Sequence, residues 1–212
     1  MNAHSVEKHS LILDAAQKRF AHFGPSKVTM DEIAGDLGMC KAALYYYFPA
    51  KEDVYREVIA REQQEFIDRM KEILAKDLLA GKKLQDYILH QLEHFNELVN
   101  LKLLGHEAAP NVKPVLGELF KQFGKTEFQL ISSIIQQGKE SGEMAVDSTE
   151  KTAEFIVHCI QGLRLRYAKA ARDESSEAVA NSAIASDFKL LADLLLNGLI
   201  KRNSHSIPST LS

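Results

Sequence analysis

The five prolines of this 212-residue chain are Pro25, Pro49, Pro110, Pro114 and Pro208. They leave residues 50–109 and 115–207 without the residue that breaks a helix interior. Both stretches are rich in Leu, Ala, Glu, Lys and Gln, which lose little entropy in a helix. Neither sustains a strict alternation of apolar and polar residues. The chain is therefore expected to be all-α. With 45% hydrophobic residues and a net charge of -3 it can bury a core and is not a disordered chain.

Local signals place the elements. Ile12, Ala16, Phe20 and Phe23 recur at helical spacing, and Gly24-Pro25 ends that helix. Thr29 and Glu32 form a T-x-x-E capping box for a short helix whose apolar face is Ile33, Ala34 and Leu37. Gly38 ends it, and a third short helix runs over Lys41–Tyr47. Pro49 breaks the chain before a long helix that starts near Lys51 and carries Val54, Ile59, Phe66, Met70 and Leu74 inward. Further helices are expected at 82–101, 112–140, 149–171 and 176–201, with a short irregular one at 102–109. The polar stretch 203–212 is expected to be a disordered tail.

Residues 29–51 carry the chemistry. Small Ala34 lets the next helix approach, and Gly38 permits the positive φ of a sharp turn. Leu44 fills the gap between the helices. These are the parts of a helix-turn-helix, whose second helix enters the DNA major groove. Thr29 can offer a hydroxyl and helix-start N–H groups to a phosphate. Lys41 can reach a guanine edge or a phosphate, and Tyr45 and Tyr47 can donate to phosphates. Tyr46 is expected to face the groove, and Lys51 adds charge at the start of the next helix. Packing in the core is the competing role for Tyr45 and Tyr47, and the expected one for Phe48.

The run Ile12–Gly24, Thr29, Ile33-Ala34, Gly38-Met39-Cys40-Lys41, Leu44-Tyr45-Tyr46-Tyr47-Phe48 and Lys51 resembles the tetracycline-repressor (TetR-type) family of bacterial regulators. Three positions depart from the family pattern. Cys40 replaces the usual serine, Ala42 and Ala43 stand where glycine and threonine are common, and Pro49-Ala50 replaces a more polar pair. Base reading then leans on Lys41, Tyr46 and methyl contacts of Ala42 and Ala43 with thymine. The resemblance implies a helix-turn-helix head over residues 1–50 and a larger helical effector and dimerisation domain over 51–202. It also implies a homodimer on a palindromic double-stranded DNA operator, more a repressor than an activator, released by a small-molecule effector.

In the second domain, Ile156, Ile160, Leu163 and Tyr167 form one apolar stripe. Ile184, Phe188, Leu191, Leu195 and Leu199 form another. The family's four-helix dimer interface would draw on Ile160, Leu163, Tyr167, Phe188, Leu191, Leu195 and Leu199. An effector pocket is expected among Phe66, Met70, Phe95, Leu104, Phe120, Phe123, Phe128, Phe155, His158 and Cys159, with His106, Glu107, His158, Arg164 and Arg166 as candidate polar anchors. Six of the ten phenylalanines fall between 66 and 155, so an apolar or aromatic effector is expected, against plain core packing at each position.

Other chemistries find less support. His90-Gln91-Leu92-Glu93-His94 matches H-x-x-E-H, a zinc-ligand spacing, yet five residues are a short match. No resident metal and no cofactor are expected. Cys159 beside His158 diverges on a helix, and no G-x-S-x-G, P-loop or dinucleotide loop is present, so the chain is not expected to be an enzyme. The rival class is a helical homodimer that binds a ligand or metal without DNA. No apolar run reaches the roughly 18 residues of a membrane span, and the N-terminus has no signal-peptide core. Cys40 and Cys159 read as reduced thiols, so a cytoplasmic, membrane-free protein is expected. The charge is uneven: residues 1–51 carry +1 and the rest -4.

Overall fold

The computed structural model describes residues 3–97, 113–170 and 177–201. Among them are eight helices and no strand: α1 (Ala3–Phe23), α2 (Met30–Asp36), α3 (Lys41–Tyr47), α4 (Lys51–Ala75), α5 (Ala80–Glu97), α6 (Lys113–Glu140), α7 (Thr149–Ala170) and α8 (Glu177–Leu199). The all-α expectation holds. The short helix expected at 102–109 and the tail at 203–212 lie outside the described residues. No described helix is long and apolar enough to cross a membrane.

Two buried cores meet on α4. Ile12, Leu13, Ala16 and Phe20 of α1 pack with Ile33 and Ala34 of α2, Leu44 of α3 and Val54, Tyr55, Val58 and Ile59 of α4. Two turns further along α4, Phe66, Ile67, Met70 and Ile73 join the second core with α5, α6, α7 and α8. At 25 residues α4 is about 37 Å long, enough to serve both. Leu119 and Phe120, at the start of α6, pack on the first core, while Phe123, one turn on, belongs to the second.

The turns follow their local chemistry. Gly24 takes φ 81° and its N–H bonds the Phe20 carbonyl at 3.0 Å, which stops α1. Ser148 Oγ accepts from Lys151 N at 3.3 Å and opens α7. The Glu143 carboxylate accepts from Ala80 N at 2.8 Å and Gly81 N at 2.9 Å, satisfying donors at the start of α5. Gly138 lets α6 approach α5 closely, since a Cβ there would stand 3.0 Å from Ala80 Cβ and 2.6 Å from Met144.

Candidate nucleic-acid interface

The head is a rigid frame around one exposed helix. Both halves of the expected capping box form: Thr29 Oγ1 accepts from Glu32 N at 3.3 Å, and Glu32 Oε2 accepts from Thr29 N at 2.8 Å. The Thr29 hydroxyl also donates to Glu32 Oε2 at 2.8 Å, so in the free protein its proton is already placed. These bonds from Thr29, with Arg19 nearby, hold the Glu32 carboxyl below its ordinary range. Gly38 makes the turn at φ 60°. On α3, Leu44 and the following Phe48 are buried and fix the helix to α1 and α2.

That anchoring turns Lys41, Ala42, Tyr45 and Tyr46 to the surface, Tyr46 at 83% exposure. Ala43 and Tyr47 are half-buried, and Tyr47 packs against the head core with its ring edge-on to Tyr46. Lys41 Nζ donates to Asp31 Oδ2 at 3.0 Å and lies 6.0 Å from the Tyr45 ring centre. The hydrogen bond and charge of Asp31 raise the Lys41 ammonium above its ordinary value. Arg19 holds Asp36 through Nε at 2.5 Å and Nη2 at 2.7 Å.

Lys51, expected to add charge at the start of α4, is held by the preceding turn. Its ammonium donates to the carbonyls of Pro25 at 2.8 Å, Val28 at 2.9 Å and Ser26 at 3.5 Å. Three acceptors use its three protons, because the α1–α2 turn brings those carbonyls beside the start of α4. Lys51 is a clamp between head and α4, a role that spacing alone did not reveal.

In the second core, Phe66, Met70 and Phe123 are buried together and Phe128 packs against them. Phe120 instead packs on the head core, since it points one turn toward α1–α4. Phe155 at 61% exposure and His158, also exposed, face outward rather than into the bundle. Their α7 neighbours Ala153, Ile156, Val157 and Ile160 take the inward face, and helical geometry leaves 155 and 158 outside. Cys159 is half-buried, and burial pushes its thiol up, away from a reactive thiolate. Leu104, His106 and Glu107 lie outside the described residues, as do the side chains of Phe95, Glu93 and His94. Arg166 is exposed, and Arg164 Nη1 donates to the buried Glu127 carboxylate at 2.9 Å. The His90 ring places Nδ1 2.9 Å from the Asp86 carbonyl.

Of the expected interface residues, Ile160 and Phe188 are buried within the subunit, and Leu163, Leu191, Leu195 and Leu199 pack against its core. The side chain of Tyr167 lies outside the described residues. Among the described residues, the large apolar side chains left exposed on α7 and α8 are Phe155, Leu165, Leu190 and Leu194. Residues 151, 152 and 155 of α7 border an open groove of about 370 Å³ with 194, 195, 198 and 199 of α8. Apolar periodicity finds the stripes of both helices, but it does not say which stripe their own subunit covers.

The comparisons with known proteins agree with this architecture. Residues 12–58 match the family model described as bacterial regulatory proteins, tetR family. A crystal structure of a transcriptional regulator from Cytophaga hutchinsonii ATCC 33406 is 36% identical, with a TM-score of 0.82 over 92% of this chain and 99% of that one. The fatty acid metabolism regulator protein of Bacillus subtilis (strain 168) is 26% identical over 140 residues, 65% of this chain and 71% of that protein. The protein of a SmeT–triclosan complex shares the fold at a TM-score of 0.71 and 17% identity, covering 97% of this chain and 99% of that one. With the head, the bundle and a relative matched along nearly its whole length, the chain belongs to the tetR family of bacterial regulatory proteins.

Proposed function

We propose that this regulator is a ligand-released repressor that binds a palindromic operator as a homodimer. The observation that carries the reading is the exposed face of α3, with Lys41, Ala42, Tyr45 and Tyr46 outward and Leu44 and Phe48 locked inward. A helix held this way presents side chains to a major groove without paying for their ordering on binding. Lys41 and Tyr46 read base edges, Ala42 and Ala43 contact thymine methyls, and Thr29, Tyr45 and Tyr47 contact phosphates. The base-contact set is small and the head nearly neutral, so one subunit binds weakly and the dimer supplies the affinity.

The dimer forms on α7 and α8, where Phe155, Leu165, Leu190 and Leu194 stand exposed. A small apolar effector enters the second domain and shifts α4, which both cores share. The heads must sit about 34–36 Å apart, or a multiple, so a small shift of α4 weakens binding.

The test is a gel-mobility assay with the DNA upstream of the protein's own gene. Retardation at low salt, weakened at least tenfold by Tyr46→Ala, supports the reading. No retardation by the folded dimer favours the rival, a helical ligand-binding homodimer without DNA.

A further inference from the structure

Helix α2 carries three carboxylates, Asp31, Glu32 and Asp36. Two of them serve the frame of the head. Glu32 accepts from Thr29 within the capping box, and Asp36 accepts from Arg19 of α1. Asp31 turns to α3 instead. Its Oδ2 accepts from Lys41 Nζ at 3.0 Å, across the turn that Gly38 makes. Asp31 is the second residue of α2 and Lys41 the first of α3, so the bond joins the starts of the two helices.

This bond does not hold the fold. Both side chains are 60% exposed, and an ion pair in that setting contributes little to stability. Buried Leu44 and Phe48 already fix α3 to the head. What the bond sets is the place and the net charge of Lys41. A lysine carries a point charge on a flexible stem, and such a charge settles on any phosphate within reach. Here the ammonium is drawn to Asp31, 6.0 Å from the Tyr45 ring centre, on the exposed side of α3. The bond takes one of its three protons and leaves two for a partner. Guanine offers two acceptors, O6 and N7, on its major-groove edge. The carboxylate also cancels the pull of the ammonium on phosphates, which every DNA sequence supplies alike.

Resting on the operator-binding reading above, we propose that Asp31 is a positioning residue for specificity: it holds Lys41 toward a guanine edge and keeps it off the phosphates. A cognate duplex gains directed bonds from an ammonium already in place. An arbitrary duplex meets a pair without net charge. Loss of Asp31 therefore strengthens binding to arbitrary DNA and blunts the reading of one base pair in each half-site.

The test lets the full chain select from a pool of random duplexes about two helical turns long, with gel retardation as the readout. The selected site should hold a fixed guanine in each half, and Lys41→Met should lose that preference. Asp31→Asn keeps the shape of the side chain and removes its charge. It should cut the preference for that guanine about tenfold, and it should bind a scrambled duplex more tightly, with a salt slope steeper by about 1. Asp31→Glu, which keeps the acceptor, should retain the preference. In the Lys41→Met background, Asp31→Asn should leave the salt slope unchanged, which separates the tether from mere loss of an acid. A guanine preference that survives Asp31→Asn, a site without any guanine that depends on Lys41, or a slope that steepens equally without Lys41 overturns this inference alone. Selection of no sequence by the unaltered chain removes the operator-binding reading with it.

Discussion

The Lys51 ammonium stands 2.9 Å from the Val28 carbonyl and ties the first residue of α4 to the turn that leads into α2. The contact joins the head to the start of α4. Lys51→Met should lower the stability of the folded chain by about 1–3 kcal/mol, since it leaves part-buried carbonyls without a donor. Urea unfolding measures this. If Lys51 instead serves a phosphate, stability will hold and the salt slope of DNA binding will fall by about 1.

Gly35 and Gly38 should respond in opposite directions to alanine. Neither has an atom within 4 Å of an added Cβ, so space decides nothing. Gly35 lies inside α2, and Gly35→Ala should stabilise by about 0.4–1 kcal/mol. Gly38 sits at φ 60°, and Gly38→Ala should cost about 1–2 kcal/mol. Paired thermal melts check the sign of each.

The Glu32 carboxyl is lowered by its bonds from Thr29, and the Asp36 carboxyl by its hydrogen bond from Arg19. A carboxyl that is lower in the folded state stabilises fully above its unfolded value and loses that contribution as pH falls through the folded one. Stability should therefore decline as pH drops below the ordinary values of 4.5 for Glu32 and 3.8 for Asp36. Glu32→Gln should shrink the acid-side slope of the melting temperature. An unchanged slope would show that the capping box does not form in solution.

Arg164→Met alone should destabilise by about 3–5 kcal/mol, because it strands the buried Glu127 charge. Adding Glu127→Gln should recover most of the loss. Calorimetric unfolding of the two single variants and the double gives the coupling directly.

Leu194→Glu should reduce the mass seen by light scattering from dimer to monomer, with the helical circular dichroism of the subunit kept. Leu194 is 63% exposed, so the change costs its own subunit little. DNA retardation should fall with the dimer. A variant that remains dimeric places the interface elsewhere.

The amino-acid sequence by itself determined the helical class, the order of the helices and the head. Proline spacing, the Thr29–Glu32 box, Gly38 and the apolar periods of α1 to α4 are local signals, and the structure follows them except at Phe23, which stands exposed at the end of α1. Only the tertiary structure decided the partners of each face. Lys51 reads as one more charge until the turn carbonyls of Pro25 and Val28 come within reach. Phe155 and Phe123 are alike in sequence, yet one stands exposed on α7 and the other is buried on α6. Arg164, Glu127 and Gln91 come from three helices and meet only when those helices pack. Contacts between residues 36 to 73 positions apart carry no local period, so their chemistry becomes visible only in the folded chain.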